Sequence, residues 1–440
     1  MKKCTFSFFL IFSILLSAFL CLPASAYTLP AETEIEAQSA ILYNLETGTV
    51  VYEKEADKQM EPASTTKLMT ALIAVEHITN LDLPVTAYST VESDFAGLGA
   101  SAINIKPGEQ ISSRELLYAL LIPSACDAAN VLAVHVSGST EKFVELMNEK
   151  AEALGMTGTH YSNAHGLAQE GLYTTARDLV TLGKEVLKNP LIAEICSQTY
   201  HEIPATNMSD LRKIYTTNYM MEVTSPYYYR RVKGLKTGYT EEAGRCLVSY
   251  AKKDETEYIG VVMGCKTKDG NGNEHHYEFD DTDALLRWAF TDLSYACTVT
   301  KTTPVAEVNV KFAKSTDHVL ALPKDDVYAM IPSGSKDSII IEPHLDSTEI
   351  EAPVNQGQTL GYASILCAGE EIGRVDLVAS EACDRSVWLS FLNALKAIFT
   401  STIFKVLVII VVLVIASLVA FSVYDTRRRR RLYNSKMRKR

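Results

Sequence analysis

The stretch Pro62-Ala63-Ser64-Thr65-Thr66-Lys67-Leu68-Met69-Thr70 places a serine and a lysine three residues apart where helical apolar spacing begins. The spacing predicts a helix through Ala74 that a Ser or Thr caps. Residues three apart share a helix face, so the Lys67 amine can reach the Ser64 hydroxyl. A lysine can activate a serine when burial or a nearby cation disfavours its own charge. Alone the pattern is weak evidence, because an N-cap serine followed by a surface lysine has the same spacing.

Two further motifs follow in order along the chain. Ser124-Ala125-Cys126 lies in a break between two predicted helices, and Lys236-Thr237-Gly238 lies in a predicted strand. Lys236 on a strand edge would supply a second cation that depresses the proton affinity of Lys67 and attracts a substrate carboxylate. The Thr237 hydroxyl can bind that carboxylate, and Gly238 lets a substrate backbone approach closely. An ordinary strand end is the alternative for this motif alone.

The periodicities around these motifs predict an α+β domain. A hairpin is predicted over Ala40–Lys54, and three strands are predicted over Gly234–Thr240, Cys246–Lys252 and Glu257–Cys265. Between them, helical patterns cover Ser113–Leu121, Asp127–Val136, Thr140–Leu154 and Thr174–Leu187, and a closing helix covers Tyr277–Leu293. Strands first and last with helices between them favour an antiparallel sheet flanked by a helical cluster. Short alternating runs, Val305–Phe312, Ser338–Pro343 and Gly373–Val378, then predict a small β domain.

The two ends of the chain predict export and membrane anchoring. Residues 1–26 contain Lys2 and Lys3, an apolar run and Ala24-Ser25-Ala26, which is typical of a cleaved signal peptide. Residues 406–424 carry no charge and, as a helix of ~1.5 Å per residue, would cross a bilayer. Arg427–Arg431 follow, and a basic cluster beside a span stays in the cytoplasm.

These signals divide the chain into predicted segments. They are a signal peptide at 1–26, a catalytic domain at 27–294, a small β domain at 295–385, a juxtamembrane segment at 386–405, a transmembrane helix at 406–424 and a basic tail at 425–440. The predicted topology is a single-pass protein of the cell membrane with an extracellular catalytic domain and a cytoplasmic tail. Trp388–Phe404 has the pattern of an interfacial lead-in.

Charge and cysteine usage exclude other classes. The net charge is −11, and removing the nine basic residues of the tail and the two of the signal segment leaves −22 for residues 27–426. So acidic a region argues against nucleic-acid binding. Seven cysteines remain after Cys4 and Cys21 of the signal segment are set aside, and none forms a C-x-x-C pair. This is neither a disulfide framework nor a zinc pattern, so we interpret most of them as core residues.

Together the three motifs resemble those of the low-molecular-weight penicillin-binding proteins, the serine D-Ala-D-Ala carboxypeptidases. The resemblance runs from about Ile41 to Leu293, with support from Asn163-Ala164-His165-Gly166-Leu167 and Gly234–Thr240, and more loosely through the β domain. It implies a β-lactamase/transpeptidase-like fold and peptidoglycan stem peptides as substrates. It also implies β-lactam antibiotics as covalent inhibitors, and no metal or organic cofactor.

The resemblance also implies roles for individual residues. Ser64 would attack the carbonyl between two D-alanines with Lys67 as base, Ser124 would relay a proton to the leaving amine, and Lys236 with Thr237 would hold the terminal carboxylate. The other substrate-binding positions are Gly238 and Tyr239, the backbone N–H of Tyr239 joining that of Ser64 in an oxyanion hole.

One position departs from the family pattern. Cys126 stands where the family has the asparagine of S-x-N, and a thiol is a weak hydrogen-bond donor and acceptor. The loss predicts an impaired or retuned site, with Asn130 one turn later as a candidate replacement. A catalytically impaired wall-binding or scaffold protein therefore remains an alternative. A β-lactamase is a separate alternative, because those enzymes share the S-x-x-K and K-T-G motifs. His165 is interpreted as part of a structural loop rather than of a triad, and His275 and His276 as solvated surface.

Overall fold

The computed structural model describes residues 34–88, 95, 99–367 and 369–437. The predicted signal peptide lies outside these residues. The chain forms two compact units. The first runs to Thr298 and includes Tyr328–Ile339 and Leu366–Ile372, and the second comprises Val299–Val327, Ile340–Ile365 and the chain from Gly373 onward.

The first unit contains strands before, between and after its helices in the sequence. They are β1 (Ser39–Asn44), β2 (Thr49–Lys54), β3 (Pro84–Thr86), β4 (Gln110–Ser112), β5 (Tyr200–Ile203), β6 (Arg212–Tyr215), β7 (Val232–Thr240), β8 (Gly244–Lys253), β9 (Thr256–Cys265) and β10 (Leu293–Val299). Five of them form an antiparallel sheet in the order β2-β1-β9-β8-β7, which leaves β7 at an edge. The predicted antiparallel sheet and helical cluster are confirmed.

The helices of the first unit pack on the two faces of this sheet. They are α1 (Lys67–His77), α2 (Ser113–Leu121), α3 (Cys126–Ser137), α4 (Thr140–Ala153), α5 (Ala176–Leu187), α6 (Pro190–Cys196) and α7 (Tyr277–Asp292). One apolar core contains residues of α1 to α6, such as Leu68 and Leu120. A second core on the opposite face joins Leu247 of β8 to Phe279 and Leu286 of α7. The alternation along β8 therefore directs successive side chains into different cores.

The start of α1 differs from the prediction. Ala63–Thr66 form a 3-10 turn, α1 begins only at Lys67, and neither element has a side-chain cap. The reason lies in the hydroxyl partners: Thr65 Oγ1 donates to the Pro62 carbonyl at 2.7 Å, and Ser64 Oγ lies beside the Lys67 amine. The Ser64 and Thr65 hydroxyls are thus engaged elsewhere, and the predicted Ser or Thr cap is not formed.

The second unit contains a six-stranded sheet, as the alternating runs predicted. The remaining strands are β11 (Ala306–Lys311), β12 (His318–Pro323), β13 (Val327–Pro332), β14 (Ile339–Leu345), β15 (Glu349–Glu351), β16 (Thr359–Cys367) and β17 (Glu370–Ala379). The sheet order is β14-β16-β17-β12-β11-β15. From Tyr328 onward β13 belongs to the first unit, where it pairs with β10.

Two helices follow the β domain, α8 (Val387–Thr400) and α9 (Thr402–Met437). The predicted span at 406–424 lies inside α9. Thr402–Arg431 is long and apolar enough to cross a membrane, judged by length and composition.

Candidate active site

The turn that opens α1 brings Ser64 and Lys67 together. Ala63 has a left-handed backbone with φ of 46°, and the 3-10 turn that follows folds the lysine back over the serine. Lys67 Nζ lies 2.9 Å from Ser64 Oγ, 2.7 Å from the His165 carbonyl oxygen and 3.4 Å from Cys126 Sγ. The Lys67 side chain is fully buried, so all three of these contacts are made inside the protein.

The loop formed by residues 163–167 packs against this turn and holds it in place. Asn163 Oδ1 accepts hydrogen bonds from the backbone N–H groups of His165 and Gly166, and the Ala164 carbonyl accepts one from Thr70 at 2.6 Å. Gly166 has φ of 84°, and a Cβ added there would lie 1.9 Å from the Ala63 carbonyl oxygen. The loop therefore reaches the serine turn only because residue 166 is glycine.

The corner between α2 and α3, residues 124–126, forms the second side of the site. Ser124 has φ of 69° and is 5% exposed, and its hydroxyl has no hydrogen-bond partner among the described residues. The Cys126 N–H donates to the Ser101 carbonyl at 2.7 Å, and Cys126 Sγ lies 3.4 Å from Lys67 Nζ. The corner thus contributes a buried serine hydroxyl and a thiol to the lining of the cleft.

Edge strand β7 forms the third side. Lys236 is 1% exposed, and its Nζ donates to the Thr237 carbonyl at 3.1 Å. The Thr237 hydroxyl is hydrogen-bonded to the Thr217 hydroxyl. A Cβ on Gly238 would lie 3.0 Å from Ala63 Cβ and 3.1 Å from Ser64 N. The sequence predicted that Gly238 lets a substrate approach closely. The structure shows a second reason for a glycine here, because the missing side chain lets β7 pack against the serine turn.

The two buried lysines share an electrostatic environment. Burial lowers the pKa of Lys67, against the opposing influence of Cys126 and Asp127. Burial, and then the charge of Lys67, lower the pKa of Lys236 to about 7. Each lysine therefore binds a proton less readily than an exposed lysine does. A carboxylate that binds at Lys236 would stabilise the protonated form of Lys236, and the like-charge repulsion would then favour Lys67 as a free amine.

The three sides open into one cleft of about 800 Å³. Its lining includes Ser64, Ser124, Cys126, Thr237, Gly238 and Tyr239. Lys67 and Lys236 lie behind this lining, in contact with Ser64 and Thr237 respectively. The structure therefore brings together every residue that the sequence nominated for catalysis or substrate binding.

The other nominated residues have different surroundings. His165 contributes its carbonyl to Lys67, and its ring packs edge-on against Phe95 at 5.9 Å. The three contacts of Lys67 would use every N–H of its ammonium form, which leaves none for Asn130. His276 was wrongly predicted to be solvated surface: it is half-buried, lines the cleft, and lies 2.8 Å from Glu278.

Sequence reasoning missed the charged groups at one end of the cleft. Arg245 follows β7 in β8, and Glu274 and Glu278 come more than 25 residues later, yet all three line the cleft. No motif signals them, because sheet pairing and helix α7 bring them together. Arg245 pairs with Tyr239 across β7 and β8, and its guanidinium lies 5.2 Å from the Tyr239 ring centroid.

A lysine-paired serine opposite a second serine and a Lys-Thr-Gly edge strand defines a serine hydrolase of the acyl-transfer type. The family model for D-alanyl-D-alanine carboxypeptidases matches residues 26–267, and the model for the C-terminal domain of penicillin-binding protein 5 matches residues 298–385. The chain belongs to the D-alanyl-D-alanine carboxypeptidase family.

Individual relatives agree with this assignment. The chain is 30% identical over 365 residues to D-alanyl-D-alanine carboxypeptidase DacF of Bacillus subtilis, a match covering 82% of this chain and 90% of that protein. It is 30% identical over 383 residues to DacC of Escherichia coli, covering 83% and 90%. The fold is also that of DacD from Francisella tularensis, with a TM-score of 0.64, 24% identity, and coverage of 82% of this chain and 96% of that one.

Proposed function

We propose that this chain removes the terminal D-alanine from peptidoglycan pentapeptides through an acyl-enzyme on Ser64. The observation that carries the proposal is the 2.9 Å contact between Ser64 Oγ and the buried Lys67 amine. Burial lowers the pKa of Lys67, and a neutral amine can accept the serine proton through its lone pair. The substrate itself favours that state when its carboxylate binds at Lys236.

Acylation follows from the three sides of the cleft. Ser64 Oγ attacks the carbonyl between the two D-alanines, and Lys67 takes its proton. The backbone N–H groups of Ser64 and Tyr239 stabilise the oxyanion, each worth ~3 kcal/mol. The Tyr239 N–H is suited to this role because β7 is an edge strand with one side open to the cleft.

The leaving group departs toward the Lys-Thr-Gly strand. Lys236 and Thr237 hold its carboxylate, and the Ser124 hydroxyl passes the proton from Lys67 to its nitrogen as the C–N bond breaks. The absence of a protein partner for Ser124 Oγ among the described residues leaves it available for this transfer. Water then attacks the ester, with Lys67 again as base, and releases a peptide shorter by one D-alanine.

D-alanine release from a D-Ala-D-Ala peptide tests the proposal. The full chain in detergent should release D-alanine, and the Ser64→Ala variant should not. Mass spectrometry after penicillin treatment should find one adduct on the Ser64 peptide. A well-folded wild-type chain that releases no D-alanine would refute the activity, and rapid turnover of penicillin in place of a persistent adduct would favour a β-lactamase.

A catalytically impaired wall protein is the second candidate. It rests on Cys126, whose sulfur is 3.4 Å from Lys67 where the family pattern has an amide. The thiol holds the base less firmly than an amide oxygen would. Since Ser64 and Thr237 line the cleft, and Lys67 and Lys236 contact them from behind, we favour a slowed enzyme over an inactive scaffold.

We further propose that α9 anchors the protein with the catalytic unit outside the cell and the arginine-rich end inside. The length and apolar character of Thr402–Arg431 and the cluster at 427–431 support this topology. The proposed segments are those given from the sequence: 1–26, 27–294, 295–385, 386–405, 406–424 and 425–440. A tag at the C-terminus that external protease digests in intact cells would contradict the orientation.

A further inference from the structure

Of the cysteines that the structure describes, Cys126 is the one in the lining of the cleft. Its sulfur lies 3.4 Å from Lys67 Nζ, in a contact buried inside the protein. The influence of Cys126 also extends to Lys236, because it opposes the effect of burial on the pKa of both lysines. A sulfur nucleophile and a nitrogen nucleophile therefore lie side by side at the wall of one cleft.

Three deeply buried cysteines elsewhere in the first unit are less suited to react. Burial raises the pKa of Cys196 and that of Cys246 to about 12. Burial also raises the pKa of Cys265. Because the thiolate is the reactive form of cysteine, these three side chains stay as inert thiols at neutral pH. Cys126, in contrast, has beside its sulfur an amine that can take its proton.

The surroundings of Cys126 select a small, hydrogen-bonding oxidant. The residue is 1% exposed, so only a small molecule in the cleft can reach its sulfur. Ser124 lines the same cleft, and its buried hydroxyl has no hydrogen-bond partner in the part of the chain that the structure describes. That hydroxyl can donate a hydrogen bond to a peroxide or accept one from it. Hydrogen peroxide has the required size and polarity, and it oxidises thiolates to sulfenic acids.

Oxidation of the thiol needs only hydrogen peroxide and the neighbouring amine. The Lys67 amine takes the thiol proton, and the Cys126 thiolate attacks one oxygen of the peroxide. An S–O bond forms as the O–O bond breaks, and the departing hydroxide takes the proton from Lys67 and leaves as water. The sulfur loses two electrons and the peroxide gains them, so the product is a sulfenic acid at Cys126.

The sulfenic acid then lies beside the Lys67 nitrogen. Sulfenic acids condense with a thiol or with a nitrogen, and the cleft lining contains no second cysteine among the residues that the structure describes. Burial lowers the pKa of Lys67, so its amine has a free lone pair for the attack. An S–N bond forms as the S–O bond breaks, and the hydroxide leaves as a second water with one amine proton. The product is a sulfenamide that joins the two side chains.

We propose that Cys126 and Lys67 form a reversible oxidative modification site, in which hydrogen peroxide joins their side chains as a sulfenamide. The bond holds the Lys67 nitrogen on sulfur and removes it as a base for Ser64. Two molecules of a small thiol reverse the reaction: the first attacks Cys126 sulfur and releases the amine, and the second restores the Cys126 thiol and leaves as a disulfide. The cross-link itself depends on the contact between the two side chains, and only its effect on D-alanine release rests on the proposed function.

Peptide mapping by mass spectrometry tests the cross-link on the full chain in detergent. After treatment with hydrogen peroxide, the tryptic peptide that contains Lys67 should be joined to the one that contains Cys126, and dithiothreitol should separate them. The Lys67→Ala variant should form no cross-link, and its Cys126 should proceed to the irreversible sulfinic acid. Sulfinic acid at Cys126 of the wild type, a link from Cys126 to a backbone nitrogen, or an unmodified Cys126 would each overturn the proposal.

Activity measurements separate the cross-link from other oxidation of the chain. Peroxide should lower the wild-type kcat/KM for D-alanine release by about 10²-fold or more, because the base is lost, and dithiothreitol should restore it. Each variant is compared with its own untreated sample, so differences in folding do not imitate the result. Cys126→Asn should resist peroxide, whereas Cys297→Asn, at a half-buried cysteine outside the cleft lining, should stay as sensitive as the wild type.

Two negative results are distinguishable. An equal loss of activity in peroxide-treated Cys126→Asn and wild type would refute the assignment to Cys126. No D-alanine release from the untreated wild type would defeat the proposed function, and the peptide map would still decide whether the cross-link forms.

Discussion

The serine turn at residues 63–67 and the corner at residues 124–126 face each other across the cleft, but they are built differently. In the turn, the Lys67 amine has three close contacts inside the protein. In the corner, Ser124 has a left-handed backbone and an unpartnered buried hydroxyl, and Cys126 offers a thiol at 3.4 Å. If Ser64 is the nucleophile and Lys67 its base, as proposed, the comparison teaches that the two are assembled before substrate arrives and that substrate completes the corner.

The largest effect is expected on the turn. Lys67→Ala removes the base and should lower kcat/KM for D-alanine release by about 10⁴-fold. The acylation rate by penicillin should fall in parallel, because the same proton transfer limits it. Lys184→Ala is the control, since Lys184 is an exposed lysine that contacts Tyr43, and it should retain full activity. A decrease in kcat/KM of less than 10-fold for Lys67→Ala would contradict the contrast between the turn and the corner.

Ser124→Ala should have the next largest effect. Loss of the proton relay is expected to lower kcat/KM about 10²-fold. Because the hydroxyl has no protein partner among the described residues, the free energy of unfolding should not decrease. Urea denaturation measures the free energy of unfolding and D-alanine release measures kcat/KM, both on the same preparation. A large loss of stability would mean that the corner is as fully bonded as the turn.

The substitution Cys126→Asn tests the same comparison by strengthening the corner instead of weakening it. An amide would give Lys67 a good hydrogen-bond partner worth ~1–3 kcal/mol, so kcat/KM should rise between ~5-fold and ~150-fold. Cys297→Asn is a matched control at a half-buried cysteine outside the cleft, and it should leave kcat/KM unchanged. An unchanged rate for Cys126→Asn would show that the thiol is tolerated without cost.

The smallest effect on rate is expected from the buried ion pair of Glu109 and Arg212, which lies outside the lining of the cleft. Burial alone would raise the pKa of Glu109, but hydrogen bonds from Arg212, the Lys106 N–H and Thr206, with the charge of Arg212, hold it at about 2. This carboxylate stabilises the folded state above its ordinary pKa of 4.5, and the stabilisation is lost as the pH falls from about 4.5 to about 2.

Arg212→Met removes that cation and should raise the pKa of Glu109, so acid unfolding should begin at a higher pH with little change in kcat/KM at neutral pH. Urea midpoints at pH 7 and pH 4 measure the change. Arg114→Met is the matched control, because the Arg114–Asp82 pair is exposed and should contribute little. Equal midpoints for the two variants would show that the buried Glu109–Arg212 pair contributes no more to stability than the exposed Arg114–Asp82 pair.

The parts of the fold that were predictable have long, regular patterns. The five strands of the main sheet and helices α2 to α5 and α7 follow apolar periodicities that span several residues. The paired strands β3 with β4 and β5 with β6 were not predicted, because strands of three or four residues carry too few positions to show a period.

The site was predictable to the extent that its chemistry is local. Ser64 and Lys67 meet within one turn, so their spacing already indicates contact. The fit of Gly166 under Ala63 joins residues about 100 positions apart, and no spacing rule shows it. His276 was misjudged for the same reason, because its burial depends on Glu278 and on stacking with Phe279.

Helix α9 continues without interruption from Thr402 to Met437, so its five consecutive arginines extend a rigid rod. At 3.6 residues per turn, positions 427–431 surround the entire circumference of that rod, with one ion pair from Arg429 back to Asp425 at 2.9 Å. A ring of positive charge fixes the depth of the helix among the lipid headgroups. It does not favour any one rotation of the helix about its own axis. If α9 is the anchor, the enzyme is held at constant depth but can rotate about the axis of α9. One molecule could then reach stem peptides in every direction around its attachment point.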